Sequence, residues 1–163
     1  MARVYLVRHG EPALTGVMLG QADVPLSAAG RAQSAALQLP DAPVYSSPLR
    51  RALETARIGG ASSQPAIEAG FTEITYGEWD GLPWATIEAR WPAIARAKLA
   101  DWFGVTPPGG ERWDCFRERV LAALERVSKP AVIVAHQAVN AVIAGGDSLS
   151  FIQSYCEVIE IEL

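Results

Sequence analysis

Val4-Tyr5-Leu6-Val7 running into Arg8-His9-Gly10, and Ala131-Val132-Ile133-Val134-Ala135 running into His136, are the stretches on which the fold turns. Each is a short apolar run that ends on a histidine. Runs of this kind, rich in β-branched residues and bounded by turn chemistry, read as parallel strands buried on both faces. In open α/β sheets, ligands sit beyond the carboxyl ends of such strands, where the loops gather. The chain has two histidines, and this pattern offers both to one rim from opposite ends of the sequence.

Outward from Val7, a loop bearing glycine and proline runs to Leu26, and Ser27 predicts an N-cap for a helix over 28–39. Pro40 and Pro43 precede a short strand, Val44-Tyr45-Ser46. Pro48, a favourable first-turn residue, predicts a second helix from 48 to 58, stopped by Gly59-Gly60. A strand at 66–68 leads into a short apolar strand, Phe71-Thr72-Glu73-Ile74, and then the turn Tyr76-Gly77-Glu78. All five tryptophans fall within 79–113, where Pro83 and Pro92 mark helix starts. A helix over 111–127 carries Phe116, Val120, Leu121, Leu124 and Val127 on one face. A short apolar helix at 138–144 follows the second histidine, and 155–163 alternates as a terminal strand at or near a sheet edge. Strands alternating with helices predict one domain over 1–163, a three-layer α/β/α sandwich around a mostly parallel sheet. The tryptophan-rich stretch reads as its helical cover.

Half of the 163 residues are hydrophobic, a fifth are charged, and the formal net charge is -4. That balance argues against a nucleic acid or a membrane as the main partner. The arginines outnumber the lysines twelve to two, which leaves room for a local anion pocket, since guanidinium grips phosphate with a planar fork. Cys115 and Cys156 stand far apart without metal-ligand spacing, so reduced thiols are expected. The absence of a signal peptide and of any membrane-length apolar run predicts a cytoplasmic protein. Neither histidine sits in an H-x-E or H-x-x-x-H pattern, so no metal and no cofactor is expected.

A site holding His9, His136, Arg8 and Arg51 suits phosphoryl chemistry. Arginine complements a doubly charged tetrahedral oxyanion, and a neutral imidazole is a competent nucleophile toward phosphorus. The leaving alkoxide then needs a general acid, and Glu73 is the best-placed carboxyl by pattern, with Glu78 and Asp80 close by.

These residues carry a family resemblance. Val7-Arg8-His9-Gly10-Glu11, followed by Gly20-Gln21-Ala22-Asp23-Val24-Pro25-Leu26-Ser27, resembles the opening of the histidine phosphatase superfamily, which includes the cofactor-dependent phosphoglycerate mutases. Ser46-Ser47-Pro48-Leu49-Arg50-Arg51-Ala52 with Thr55-Ala56 is similar to its second motif, and Glu73 through Tyr76-Gly77-Glu78-Trp79-Asp80-Gly81 to its third. Pro108-Gly109-Gly110-Glu111 with Arg119 and the strand ending at His136 complete the order. The resemblance implies a phosphoglycerate mutase-like fold. It implies that His9 becomes phosphorylated, that Arg8, Arg51 and His136 bind the phosphoryl oxygens, and that Glu73 is the proton donor. Arg51 is preferred to Arg50 because it directly precedes Ala52.

Further substrate contacts are expected from Thr15, Gln21 and Gln137. The family usually has glycine where Gln137 stands and often asparagine where Thr15 stands. The short form looks most like the α-ribazole-phosphate phosphatases, which implies hydrolysis of a small phosphorylated metabolite, α-ribazole 5'-phosphate among them, with inorganic phosphate as product. Two alternatives stay open: a cofactor-dependent phosphoglycerate mutase, and a catalytically weak phosphate-binding module motivated by Gln137. For Trp84 and Trp102, stacking on a flat substrate competes with packing in a helical subcore.

Overall fold

Among the described residues, five strands, β1 (Arg3–Arg8), β2 (Val44–Ser46), β3 (Ala66–Ile67), β4 (Ala131–Ala135) and β5 (Val158–Glu162), form one sheet in the order β3-β2-β4-β1-β5 in the computed structural model. It describes residues 1–60 and 64–163. β1, β2, β3 and β4 run parallel, and β5 closes one edge antiparallel to β1. The helices are α1 (Ala28–Ala35), α2 (Arg50–Ile58), α3 (Trp84–Arg90), α4 (Pro92–Ala100), α5 (Trp113–Arg126) and α6 (Gln137–Ile143). None is long and apolar enough to cross a membrane among the described residues.

Alternation along the central strands divides the side chains between two cores. Val4, Leu6 and Ile133 face Phe116, Val120 and Leu124 of α5 and Val139 of α6. Val7, Val132 and Val134 face Ala52 and Ala56 of α2, against which α1 packs. The result is helix, sheet, helix, with β1 and β4 buried on both sides as their continuous apolar runs require. A third cluster lies outside the sheet, where Trp79, Ile87 and Ala95 are buried with Trp84 and Trp91 around them. Trp84 meets Trp79 edge-on at 5.8 Å and Trp102 at 6.3 Å, so these rings pack a helical subcore.

Several expected boundaries move, each for an identifiable reason. The first helix ends at Ala35, short of residue 39, because Pro40 disfavours helical backbone at Leu39. Leu37 and Leu39 turn in to cover the core instead. The second helix begins at Arg50, leaving Pro48 outside. Ser47 Oγ accepts from the Leu49 N–H at 3.2 Å, and Asp23 Oδ1 accepts from the Arg50 N–H at 2.7 Å. The second helix is thus started by a carboxylate from a distant loop. The strand at 66–68 stops at Ile67, since Glu68 caps a 3-10 turn over Ala69–Phe71.

The expected strand at Phe71-Thr72-Glu73-Ile74 is absent. Arg119 takes the carbonyls of Gly70 and Thr72 at 2.9 and 3.0 Å, acceptors that a ladder would have used, and holds Glu111 by two further bonds. The terminal strand starts at Val158, not 155, after Cys156 adopts a left-handed φ of 57°.

The loop after β1 is pressed against α1 through two glycines. A Cβ on Gly30 would lie 2.1 Å from the Glu11 carbonyl oxygen, and one on Gly10 would lie 2.6 Å from the Gly30 carbonyl oxygen. Backbone cannot yield as a side chain does, so Gly30→Ala is expected to destabilise the fold by about 1–3 kcal/mol. Urea unfolding checks this, and an unchanged midpoint contradicts the close approach.

Candidate active site

The parallel register sets the site. Arg8 pairs with Ala135, so the next residues on each strand, His9 and His136, leave the sheet side by side. The His9 N–H donates to the Ala135 carbonyl at 3.0 Å, and the two rings lie 5.3 Å apart. One strand further over, the Ser47 N–H donates to Val134 O, and Ser47 Oγ meets His136 Nε2 at 2.8 Å. Three adjacent strand ends therefore deliver Arg8-His9, Ser47 and His136 to one rim, and α2 brings Arg51 above them.

His9 is 5 % exposed. Its Nδ1 lies 2.7 Å from the Gly10 carbonyl oxygen, which can only accept, so Nδ1 carries the proton and Nε2 keeps its lone pair. The Gly10 N–H donates to Thr55 Oγ1 at 2.9 Å, and Thr55 Oγ1 donates to Arg51 O at 2.6 Å, which ties the Gly10 backbone to α2. Burial pushes the His9 imidazole from its ordinary 6.5 down to about 3, helped by the Arg51 and Arg8 charges. His136 is lowered well below its ordinary value by burial and then by Arg51, His9 and Arg8. Both rings are neutral at pH 7.

Arg51 is buried and spans the gap to the loop before α1, donating to Gly20 O at 2.7 Å and Ala22 O at 2.8 Å. Arg8 donates to Gln153 O at 2.6 Å and lies 4.4 Å from the Tyr155 ring centre. Among the described residues, five buried side-chain polar atoms have no partner, and three of them are Arg8 Nε, Arg51 Nε and His136 Nδ1. Buried donors ordinarily find an acceptor. Their concentration at this rim leaves it with unspent hydrogen-bonding capacity.

Glu73 completes the cleft. Its Oε1 accepts from the Ile74 N–H at 3.0 Å, and Gln21 Nε2 donates to its backbone carbonyl at 2.9 Å. Burial raises the Glu73 carboxyl above its ordinary value, against the lowering pull of Arg51, Arg8 and the N–H groups of Ile74 and Ala138. Asp80 is committed elsewhere, accepting from Thr75 Oγ1 and Tyr76 N, both at 2.7 Å. Glu78 is exposed and does not line the cleft.

The cleft holds about 210 Å³ and is lined by Arg8, His9, Arg51 and Glu73 together with Thr15 and Gln137. His136 lies beneath it, fully buried. Gln21 is not on its wall, being spent on the Glu73 carbonyl. Trp84 and Trp102 are also absent, and the aromatic wall is Tyr76 and Tyr155. Tyr155 left no sequence signal. Ser47 and Thr55 left one: Ser47 directly follows a strand, and Thr55 lies one helical turn after Arg51.

The buried neutral histidines make stability depend on pH. Below pH 6.5 the unfolded chain binds protons at His9 and His136 that the folded chain refuses, so stability falls as the pH drops toward 3. The slope approaches about 1.4 kcal/mol per pH unit for each ring. Glu73 works in the opposite sense: its raised value means the folded chain holds a proton the unfolded chain has lost. The net expectation is a lower melting temperature at pH 5 than at pH 7.5, with the difference reduced in His136→Asn. Identical wild-type melts at the two pH values would contradict this arrangement.

A family model for the histidine phosphatase superfamily (branch 1) matches residues 4–147. The bifunctional protein Rv2228c of Mycobacterium tuberculosis is 35% identical over 88 residues, 53% of this chain and 24% of that protein, so the match spans about a quarter of that relative. The adenosylcobalamin/alpha-ribazole phosphatase of Escherichia coli is 28% identical over 151 residues, 84% of this chain and 74% of that one. A phosphoglycerate mutase structure from Thermus thermophilus superposes with a TM-score of 0.81 at 34% identity, covering 98% of this chain and 92% of its own.

Proposed function

Because this chain belongs to the histidine phosphatase superfamily, we propose that it hydrolyses a small phosphorylated metabolite through a phosphohistidine formed on His9. The observation that carries the reading is His9 Nδ1 held on the Gly10 carbonyl, which leaves Nε2 its lone pair, in a cleft shared with the guanidinium groups of half-buried Arg8 and buried Arg51. Arg8 and Arg51 match the dianionic phosphoryl group, and His136 Nδ1 supplies a further donor once Ser47 donates to its Nε2. Positioning and charge neutralisation carry most of the catalysis in phosphoryl transfer, so this reaction needs no metal ion.

His9 Nε2 attacks phosphorus in line, and the bond from phosphorus to the ester oxygen breaks. Glu73, whose carboxyl burial raises above its ordinary value, gives its proton to the departing alkoxide, releasing the alcohol. Water then attacks the phosphohistidine and loses its proton to the Glu73 carboxylate. The phosphorus–nitrogen bond breaks, inorganic phosphate departs and His9 is restored. The free thiols Cys115 and Cys156 fit a reducing compartment, and we place the reaction in the cytoplasm.

α-Ribazole 5'-phosphate is the first substrate to test, supported by the activity named for the E. coli relative. A second reading, mutase activity, is favoured by the likeness to the Thermus phosphoglycerate mutase. A screen over ribazole phosphate, nucleotides, sugar phosphates and phosphoglycerates, run with and without EDTA, separates the two. Phosphate release unaffected by EDTA supports the phosphatase. Isomerisation of 3-phosphoglycerate only with added bisphosphate supports the mutase. Phosphate binding without turnover of any ester would overturn both and leave a binding module.

A further inference from the structure

Beyond the two arginines, the cleft wall holds no cation among the described residues. Glu73 is the remaining charged group, and it is an acid. The outer wall is Leu14, Val17, Met18 and Leu19, with the rings of Tyr76 and Tyr155. Thr15 and Gln137 add uncharged polar groups. The other arginines whose partners are defined are engaged away from the cleft. Arg50 pairs with Glu54, Arg119 with Glu111 and Arg126 with Glu68. Lys98 is held by the Trp102 and Val105 carbonyls.

Resting on the phosphatase reading for the orientation of the ester, we infer that this cleft takes the phosphate of an uncharged, partly apolar alcohol and rejects a leaving group bearing a second anion. The two guanidinium groups are consumed by the phosphoryl dianion and by their carbonyl partners at Gly20, Ala22 and Gln153. A carboxylate on the leaving group would sit against leucine, valine and methionine, or beside Glu73, losing hydration without gaining a counter-charge. An apolar or aromatic alcohol would bury its surface on the same wall, with hydroxyls answered by Thr15, Gln137 and the phenols. The wall thus separates phosphate esters by the charge of the part that leaves.

The test is calorimetric binding of two non-hydrolysable probes at pH 7.5, benzylphosphonate and 3-phosphonopropionate, to the wild type and to Leu14→Lys. Benzylphosphonate is expected to bind about tenfold more tightly to the wild type, roughly the effect of one unpaired charge at a half-open wall. Leu14, 39% exposed at the rim, becomes a cation in the variant, and the ratio is expected to narrow. A wild-type ratio below about three, no binding of either probe, or an unchanged ratio in Leu14→Lys would overturn the inference. Phenyl phosphate hydrolysis, measured alongside, keeps the two ideas apart. Discrimination without turnover refutes the phosphatase and leaves the charge selection standing; turnover with equal probe binding does the reverse.

Discussion

His9→Ala is expected to lower kcat for phosphate release by on the order of 10⁴-fold or more, because it removes the atom that forms the covalent intermediate. The geometry makes this a loss of chemistry and not of binding. Nδ1 is held by the Gly10 carbonyl, and Nε2 is the ring atom left to react. Arg8, Arg51 and His136 remain in the variant, so a phosphonate should still bind. Brief incubation of the wild type with a labelled ester should leave an acid-labile phosphate on the chain, absent from the variant. Retention of activity within about tenfold, with the label unchanged, would remove His9 from the reaction.

Glu73→Gln carries the second large effect. Loss of a general acid costs about 10²–10⁴-fold where the leaving alkoxide needs its proton. In the burst of alcohol release that reports phosphorylation of His9, before Glu73 is needed again as the base for water, the cost should shrink toward unity with p-nitrophenyl phosphate, whose phenolate departs unaided. This contrast separates a proton donor from a residue that merely shapes the cleft, which would slow both esters alike. The pH profile adds a sign. Burial raises the Glu73 carboxyl, so the wild-type rate for alkyl esters should fall as the pH climbs through that raised value. Glu73→Gln should lose that limb. Equal slowing of both bursts would return the acid role to another group.

The rim was legible where chemistry and local pattern coincide. Two apolar runs ending in histidine imply adjacent strand ends because a buried parallel strand has few other ways to satisfy its composition. Arg51 was separable from Arg50 by its place before Ala52, and the structure buries the former and exposes the latter. What was hidden depended on distant partners. The Glu73 segment resembles a strand until Arg119, far along the chain, claims its carbonyls. The start of α2 shifts because Asp23 supplies the cap. Tyr155 reaches Arg8 through a turn at Cys156, a non-glycine residue with positive φ, which no local rule anticipates.

The pairing of β1 with β4 also bears on how the protein folds. Its two histidines meet only after the first and the penultimate strands have docked, with β2 on the far side of β4. Contacts of such long sequence separation form late, since loop closure must be met before they reward the chain. Helices can therefore return on refolding before the cleft exists. Recovery of turnover is expected to trail recovery of helical circular dichroism, which makes activity a reporter of long-range order in this sheet.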